Sequence, residues 1–247
     1  MSSPASTSIG SDQSLSPRSV RTRTWQLRRS PDGRWTTQVA GDGFALALTF
    51  RPTQPPLPEG QGGYSRKGPR PYQASYYYSM PHLRVGGTVQ RGAASDQVTG
   101  EAWLDREWSS DYLAPDAQGW DWTGLNFDDG SALMAFRIRR KGGGTVWRGG
   151  SFRAADGRVT LLAPQELAFR PLQTWRSGAT GAVYPVSQQL SVRLPGGVRQ
   201  WTLRPLFAAQ ELDSRGGGLP VYWEGAVSTA GGRGYLELTG YDRPLTM

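Results

Sequence analysis

Glycine and proline interrupt this chain so often that long helices are excluded at the outset. With 33 Gly and 18 Pro in 247 residues, a helix of ordinary length would carry interior Pro at about 3 kcal/mol, or Gly at about 1 kcal/mol, relative to Ala. The interruptions fall where hairpins turn: Asp32-Gly33, Asp42-Gly43, Asp128-Asp129-Gly130, Asp156-Gly157, Pro195-Gly196-Gly197 and Gly231-Gly232. Between them side chains alternate with period two. In "FALALTF", Phe44, Leu46, Leu48 and Phe50 share one face, and Ala45, Ala47 and Thr49 the other. Ala132, Met134, Phe136 and Ile138 alternate likewise with Leu133, Ala135, Arg137 and Arg139. The pattern predicts an antiparallel all-β chain, built as a sandwich or an up-and-down barrel.

Apolar residues at 37%, including ten Trp, suffice for a packed core. Residues 1–22 are Ser-rich and read as a disordered leader without the apolar region of a signal peptide. Residues 51–73 carry too many Pro and Gly for regular pairing over most of their length. A connection this long is either a lid over a cavity mouth or a floppy insertion. The pattern restarts after "RSGATGA". The expected organisation is therefore a first domain over 23–178 and a second module over 179–247. The second is too short to bury much core alone and is expected to pack on the first.

The absences narrow the chemistry. Without Cys there is no disulfide or thiolate nucleophile, and His82 is the single His, so no His-rich metal cluster can form. Neither a G-x-S-x-G elbow, a phosphate-binding Gly loop nor an H-E-x-x-H helix is present. No cofactor or metal is expected. The net charge of +8 is carried almost wholly by scattered Arg, with Lys only at 67 and 141. It forms no dense basic platform, so no nucleic-acid partner is expected. No apolar run reaches the ~20 residues of a membrane span, so no integral membrane segment is expected.

Candidate site residues come from acids set among large aromatics. In "GEAWLDREWSSDY" (100–112) a strand turns Trp103, Asp105 and Glu107 one way, and Leu104, Arg106 and Trp108 the other. If one face lines a cavity, burial would raise a carboxyl pKa into the range of a general acid, with indole rings beside a developing cation. The alternative is an Asp/Glu–Arg network tying strands together. In "GWDWTG", Trp120 and Trp122 share a face opposite Asp121; in "SYYYS", Tyr76 and Tyr78 share one. Glu224 and Glu237 are read as neutralising buried Arg, and His82, after Pro81 in a strand bend, as a turn or surface residue, with a pocket proton donor as the alternative.

Taken together, "YYYSMPHLRVGGTV", "VTGEAWLDREWSS", "GWDWTGLNFDDGSALMAFRIR", "TWRSGATGAVYP" and "YWEGAV…GRGYLELTGY" resemble the lipocalin-like AttH family over roughly residues 24–247. That group is similar to bacterial carotenoid 1,2-hydratase (hydroxyneurosporene synthase). The resemblance implies tandem lipocalin-like β-barrels around a cavity for an apolar ligand. Nothing before Trp25 matches the family's opening strands, so the first barrel is expected to lack its N-terminal strands. The resemblance also implies export to the periplasm and a role beside an ABC-type transporter. The expected function is binding of an isoprenoid or lipid ligand. The alternative is cofactor-free hydration of a terminal isoprenoid double bond, with Asp105, Glu107 and Trp108 as catalytic residues and Tyr78, His82, Trp103, Trp120 and Trp122 around the ligand. Arg106 stands where the hydratases carry His, and Arg is a poor proton donor.

Overall fold

The structure, a computed structural model, describes residues 19–21, 25–110, 113–217 and 220–245. Its strands are β1 (Ser19–Arg21), β2 (Trp25–Arg29), β3 (Trp35–Gly41), β4 (Phe44–Arg51), β5 (Leu57–Pro58), β6 (Tyr64–Arg66), β7 (Ala74–Arg91), β8 (Ala94–Trp108) and β9 (Ala117–Phe127). There follow β10 (Ala132–Arg140), β11 (Thr145–Arg153), β12 (Val159–Leu162), β13 (Leu167–Arg176), β14 (Val183–Leu194), β15 (Gly197–Pro205), β16 (Glu211–Asp213), β17 (Val221–Thr229) and β18 (Gly232–Thr239). Two 3-10 turns complete the described elements, none of which is long and apolar enough to cross a membrane as a helix.

The all-β expectation holds. The strands form two antiparallel sheets, and no pairing among the described strands closes either sheet on itself. Of the expected leader, 1–18 and 22 lie outside the described residues. Ser19–Arg21 is a strand, paired with β2 through Ser19↔Arg28 and Arg21↔Gln26. Residues 111 and 112 also lie outside.

The chain divides into two compact units, residues 1–53 with 84–101, and residues 54–83 with 102–247. In the first, β2, β3 and β4 form a meander. The last eight residues of β7 continue it, from Arg51↔Arg84 to Phe44↔Arg91. The expected turns are present: Gly33 and Gly43 have φ of 82° and 74°, the left-handed region that glycine enters without a Cβ clash. Trp35 is buried.

The second unit is organised by the order β12-β11-β10-β9-β18-β17-β15-β14-β13. Residues 178 and 179 lie in the connection between β13 and β14, which pair from Leu167↔Val192 to Arg176↔Val183. Both faces of β9 and β10 are covered. Leu125 and Phe127 with Leu133 and Ala135 join the main core, beside Leu190, Leu203, Trp223, Leu236 and Leu238. Each such leucine contributes roughly 1.5–3 kcal/mol by leaving water. On the opposite face Met134, Phe136 and Ile138 form a second cluster with Tyr77, against which Trp103, Trp120 and Trp122 pack. The alternation that hides the main core thus turns a wall of indoles and acids the other way.

The 51–73 segment is more ordered than its composition suggests. β5 and β6 pair with the first part of β7, at Leu57↔Ser79 and Tyr64↔Tyr76. Its prolines and glycines restrict these ladders to two and three residues.

Candidate functional site

Alternation along two strands assembles the site in the second unit. Ser75, Tyr77 and Ser79 of β7 meet Trp103, Asp105 and Glu107 of β8. Tyr77 Oη donates to Asp105 Oδ2 at 2.9 Å, Ser79 Oγ to Oδ1 at 2.6 Å, and the Trp103 indole N–H to Oδ1 at 2.7 Å. The Trp122 N–H donates to Tyr77 Oη at 2.9 Å, so an indole, a phenol and a carboxyl form one chain. Glu107 accepts from Ser75 Oγ and pairs with Lys67 Nζ at 2.9 Å. Lys67 is buried, its ammonium 4.2 Å from the Phe136 ring centroid and 4.7 Å from that of Tyr77.

These groups surround a cavity of about 160 Å³ walled by Trp120, Trp122, Phe136 and Ile138, with Asp105, Glu107 and Glu237 as its acids. Gly124 makes room for its outer wall. A Cβ there would lie 2.7 Å from Trp122 and 2.8 Å from Trp103, whose rings meet edge-on at 6.2 Å. Trp120 Nε1 donates to Glu237 Oε1 at 2.8 Å.

Three carboxyls meet at the cavity, and only Glu107 pairs with a cation among the described residues. Asp105 is open to water from the cavity side, yet protein crowds it elsewhere. Burial raises its pKa to about 6, against the pull of its three donors and helped by the charge of Glu107. Glu237 rises to about 7, through burial first and then the neighbouring Glu224 carboxyl, with Asp105 and Glu107 adding to it. Burial and the same acids push the Tyr77 phenol well above its ordinary range, so it stays a donor. Glu59, after β5, is fully buried. Burial raises it to about 8. The Ser151 and Ser79 hydroxyls are near enough to oppose that rise, although neither Glu59 oxygen completes a hydrogen bond. Among the described residues no group of three or more ligand-type side chains could hold a metal ion.

The structure brings Trp103, Asp105, Glu107, Trp120 and Trp122 together, and Trp108, Tyr78 and His82 elsewhere. Trp108 is 45% exposed, stacked on Tyr76 and edge-on to Tyr78 at 6.5 Å. Strand alternation puts it on the face opposite Asp105. Tyr78 shares that other face; the tyrosine at the cavity is its neighbour Tyr77. His82 is buried with φ 52°, its backbone N–H donating to Asn126 Oδ1 at 3.0 Å and its Nε2 lying 2.9 Å from the Ser131 carbonyl. It fixes the bend after Pro81 and does not line the cavity. The Arg network exists, but around Asp121, which holds Arg137 and Arg139. Glu237, expected to neutralise Arg, instead meets Trp120.

Tyr77, Lys67, Phe136 and Glu59 escaped the sequence reading. The period-two set Ser75, Tyr77, Ser79 is a signal for the first. Glu59 is the single acid of the 51–73 segment, and Lys67 one of two lysines in the chain.

A family model described as AttH-like matches residues 5–241. An AttH-assigned protein of Nitrosomonas europaea, known from a crystal structure, is 48% identical with a TM-score of 0.86. The match covers 91% of this chain and 70% of that one. The crystal structure of kievitone hydratase from Nectria haematococca is 17% identical with a TM-score of 0.70 over the same shares, a likeness of fold. No curated protein matches.

Proposed function

The chain belongs to the AttH-like family, and we propose that it takes the end of an apolar isoprenoid or lipid molecule into the indole-walled cavity and adds water to a double bond there. The observation that carries this reading is Asp105: a carboxyl held by three neutral donors, facing open space between aromatic walls. Acids in an apolar pocket cost stability and add nothing to the affinity for a hydrocarbon, so their placement supports chemistry. The cavity of about 160 Å³ is below the ~300–1,000 Å³ of pockets that enclose a whole drug-sized ligand. It suits the reacting end of a longer molecule.

In this mechanism protonated Asp105 transfers its proton to the less substituted alkene carbon, leaving a tertiary cation. The π faces of Trp120 and Trp122 and the carboxylate of Glu107 stabilise that charge. Water adds to the cation and gives its surplus proton to Glu237. Proton return from Glu237 to Asp105 closes the cycle, and alkene plus water gives alcohol. A pKa near 6 leaves roughly a tenth of Asp105 protonated at pH 7, enough for a general acid.

A second reading, ligand carriage without chemistry beside an ABC-type transporter, is favoured by the predominantly aromatic and aliphatic wall. One experiment separates the two. The protein is incubated with an acyclic carotene and with a small prenylated phenol, and alcohol is sought by chromatography. The hydratase reading expects product that falls at least 100-fold in Asp105→Asn, with retained substrate binding. Binding without product from either substrate leaves the carrier, and binding of neither removes both.

A further inference from the structure

A cleft of about 550 Å³ lies in the second unit on the Asp121 side of the sheet, walled by Arg137, Arg139, Arg148, Thr145 and Tyr241 and by the glycine turn from β10 to β11. We infer that it is a binding site for a phosphate group, held by Arg148 and Thr145 in front of Arg137 and Arg139. The assignment is independent of the reaction proposed at Asp105, whose cavity is lined by Phe136 and Ile138 on the opposite face of β10.

The argument begins with strand register. Arg137 stands directly opposite Arg148, and Arg139 opposite Thr145; residues paired in this way share a face. The same face holds Asp121, the partner of Arg137 on β9. Arg148 gives Nη2 to Thr145 Oγ1 at 3.2 Å, so its guanidinium lies on that side. Three guanidiniums thus gather around one carboxylate. Asp121 meets Arg137 and Arg139, whereas Arg148 has no ion pair among the described residues, and no acidic side chain lines the cleft. Like charges directly across a strand pair are destabilising, so Arg148 opposite Arg137 is a cost that an anion offsets.

Donors remain for that anion. The Nε of Arg148 is sealed, but its Nη1 is neither bonded among the described residues nor buried. Thr145 Oγ1 accepts from Arg148 and keeps its own proton to give. Gly142, Gly143 and Gly144 have φ of 77°, 109° and 82°, the region glycine enters freely, and a Cβ added at any of them would meet nothing within 4 Å. Three residues without side chains keep the rim low, so a tetrahedral group reaches the arginines. Three guanidiniums against one carboxylate leave an excess of two positive charges. A phosphate dianion matches that excess and the donor fork of Arg, and a carboxylate leaves half of it unmet.

Isothermal titration of the full chain with orthophosphate and with acetate, at low ionic strength, tests the assignment. Orthophosphate is expected to bind at one site and acetate not measurably. Arg148→Gln should weaken orthophosphate about tenfold. Arg148→Lys, which keeps the charge and loses the fork, and Thr145→Val should each weaken it about threefold. Arg158→Gln removes the same charge from an exposed arginine paired with Asp156 in another turn, and should change nothing. Co-sedimentation with vesicles of phosphatidylcholine, with and without phosphatidic acid, identifies the source of the phosphate. Binding of free orthophosphate marks a soluble phosphate compound, and binding to the acidic vesicles that is lost in Arg148→Gln marks a lipid headgroup; either result keeps the site. Binding of neither, equal affinity for acetate and orthophosphate, or equal losses in Arg158→Gln and Arg148→Gln overturns it.

Discussion

The two sides of β9 hold acids in opposite ways. On one side Asp121 is fully buried and accepts from Arg137 at 2.8 Å, Arg139 at 3.0 Å and the Tyr241 hydroxyl at 2.9 Å. Their remaining donors go to the carbonyls of Phe169 and Thr239, and Arg139 lies over the Tyr241 ring at 3.7 Å. Two cations serve one carboxylate. On the other side Asp105, Glu107 and Glu237 stand around an open cavity, and among the described residues only Glu107 of the three pairs with a cation, the ammonium of Lys67. Buried acid therefore does not mark a reactive site by itself. The ratio of cations to carboxyls, and the presence of space, separate a strut from the proton donor proposed at the cavity.

The largest expected effect tests the strut. Asp121→Ala leaves two guanidiniums buried without their anion and should cost about 3–5 kcal/mol of unfolding free energy. Asp105→Asn keeps a polar group facing neutral donors and should cost about 1 kcal/mol. Urea unfolding of both at pH 7 gives the answer. Equal losses would erase the distinction between the two sides.

A smaller effect concerns pH. Glu59, Glu237 and Asp105 all have folded pKa values above their ordinary ones, near 8, 7 and 6. The folded state then holds protons that the unfolded state has already released, so stability falls as pH rises. The contribution is complete below about pH 4 and lost progressively up to about pH 9. A tenfold difference in proton affinity is worth about 1.4 kcal/mol, so Glu59 alone contributes a decline on the order of 5 kcal/mol over the whole window. Glu59→Gln should flatten the difference in urea midpoint between pH 5 and pH 8, whatever it does to stability at either end. An unchanged slope would mean that Glu59 is not the buried acid the comparison requires.

How much of this was legible depends on phase. Hairpin turns at Asp32-Gly33, Asp42-Gly43 and Asp128-Asp129-Gly130, and the alternation of β10, predicted strands that the structure contains. Trp120 and Trp122 were placed correctly opposite Asp121, because alternation is exact within a strand. Which face would meet a cavity was not readable. Large aromatics stand on both faces of β7 and β8, so residue type does not say which face turns to the cavity: Tyr77, Asp105 and Glu107 line it, while Tyr78 and Trp108 lie on the opposite, more exposed faces. Lys67 and Glu59 sit beside two short ladders in a Pro/Gly-rich segment, where local composition predicts only irregularity. Their roles come from pairing with residues of β7, which local pattern does not encode.

The smallest effect is optical, and it probes the cavity side directly. Trp103 donates to Asp105 and Trp120 to Glu237, so each acid has its own indole reporter. Ionisation strengthens the N–H bond to the carboxyl and changes that ring's emission. Because two of the ten indoles report, the amplitude should be a small part of the total fluorescence, with midpoints at about 6 and about 7. Asp105→Asn and Trp103→Phe should each remove the lower step and leave the upper. Trp120→Phe should remove the upper, and it should raise the Glu237 pKa further, since the lost indole bond stabilises the carboxylate. A lower step found near pH 4 in the native chain would mean that the protein around Asp105 does not raise its pKa and would make it no better an acid than any surface aspartate. The contrast with Asp121 would then rest on arginines alone.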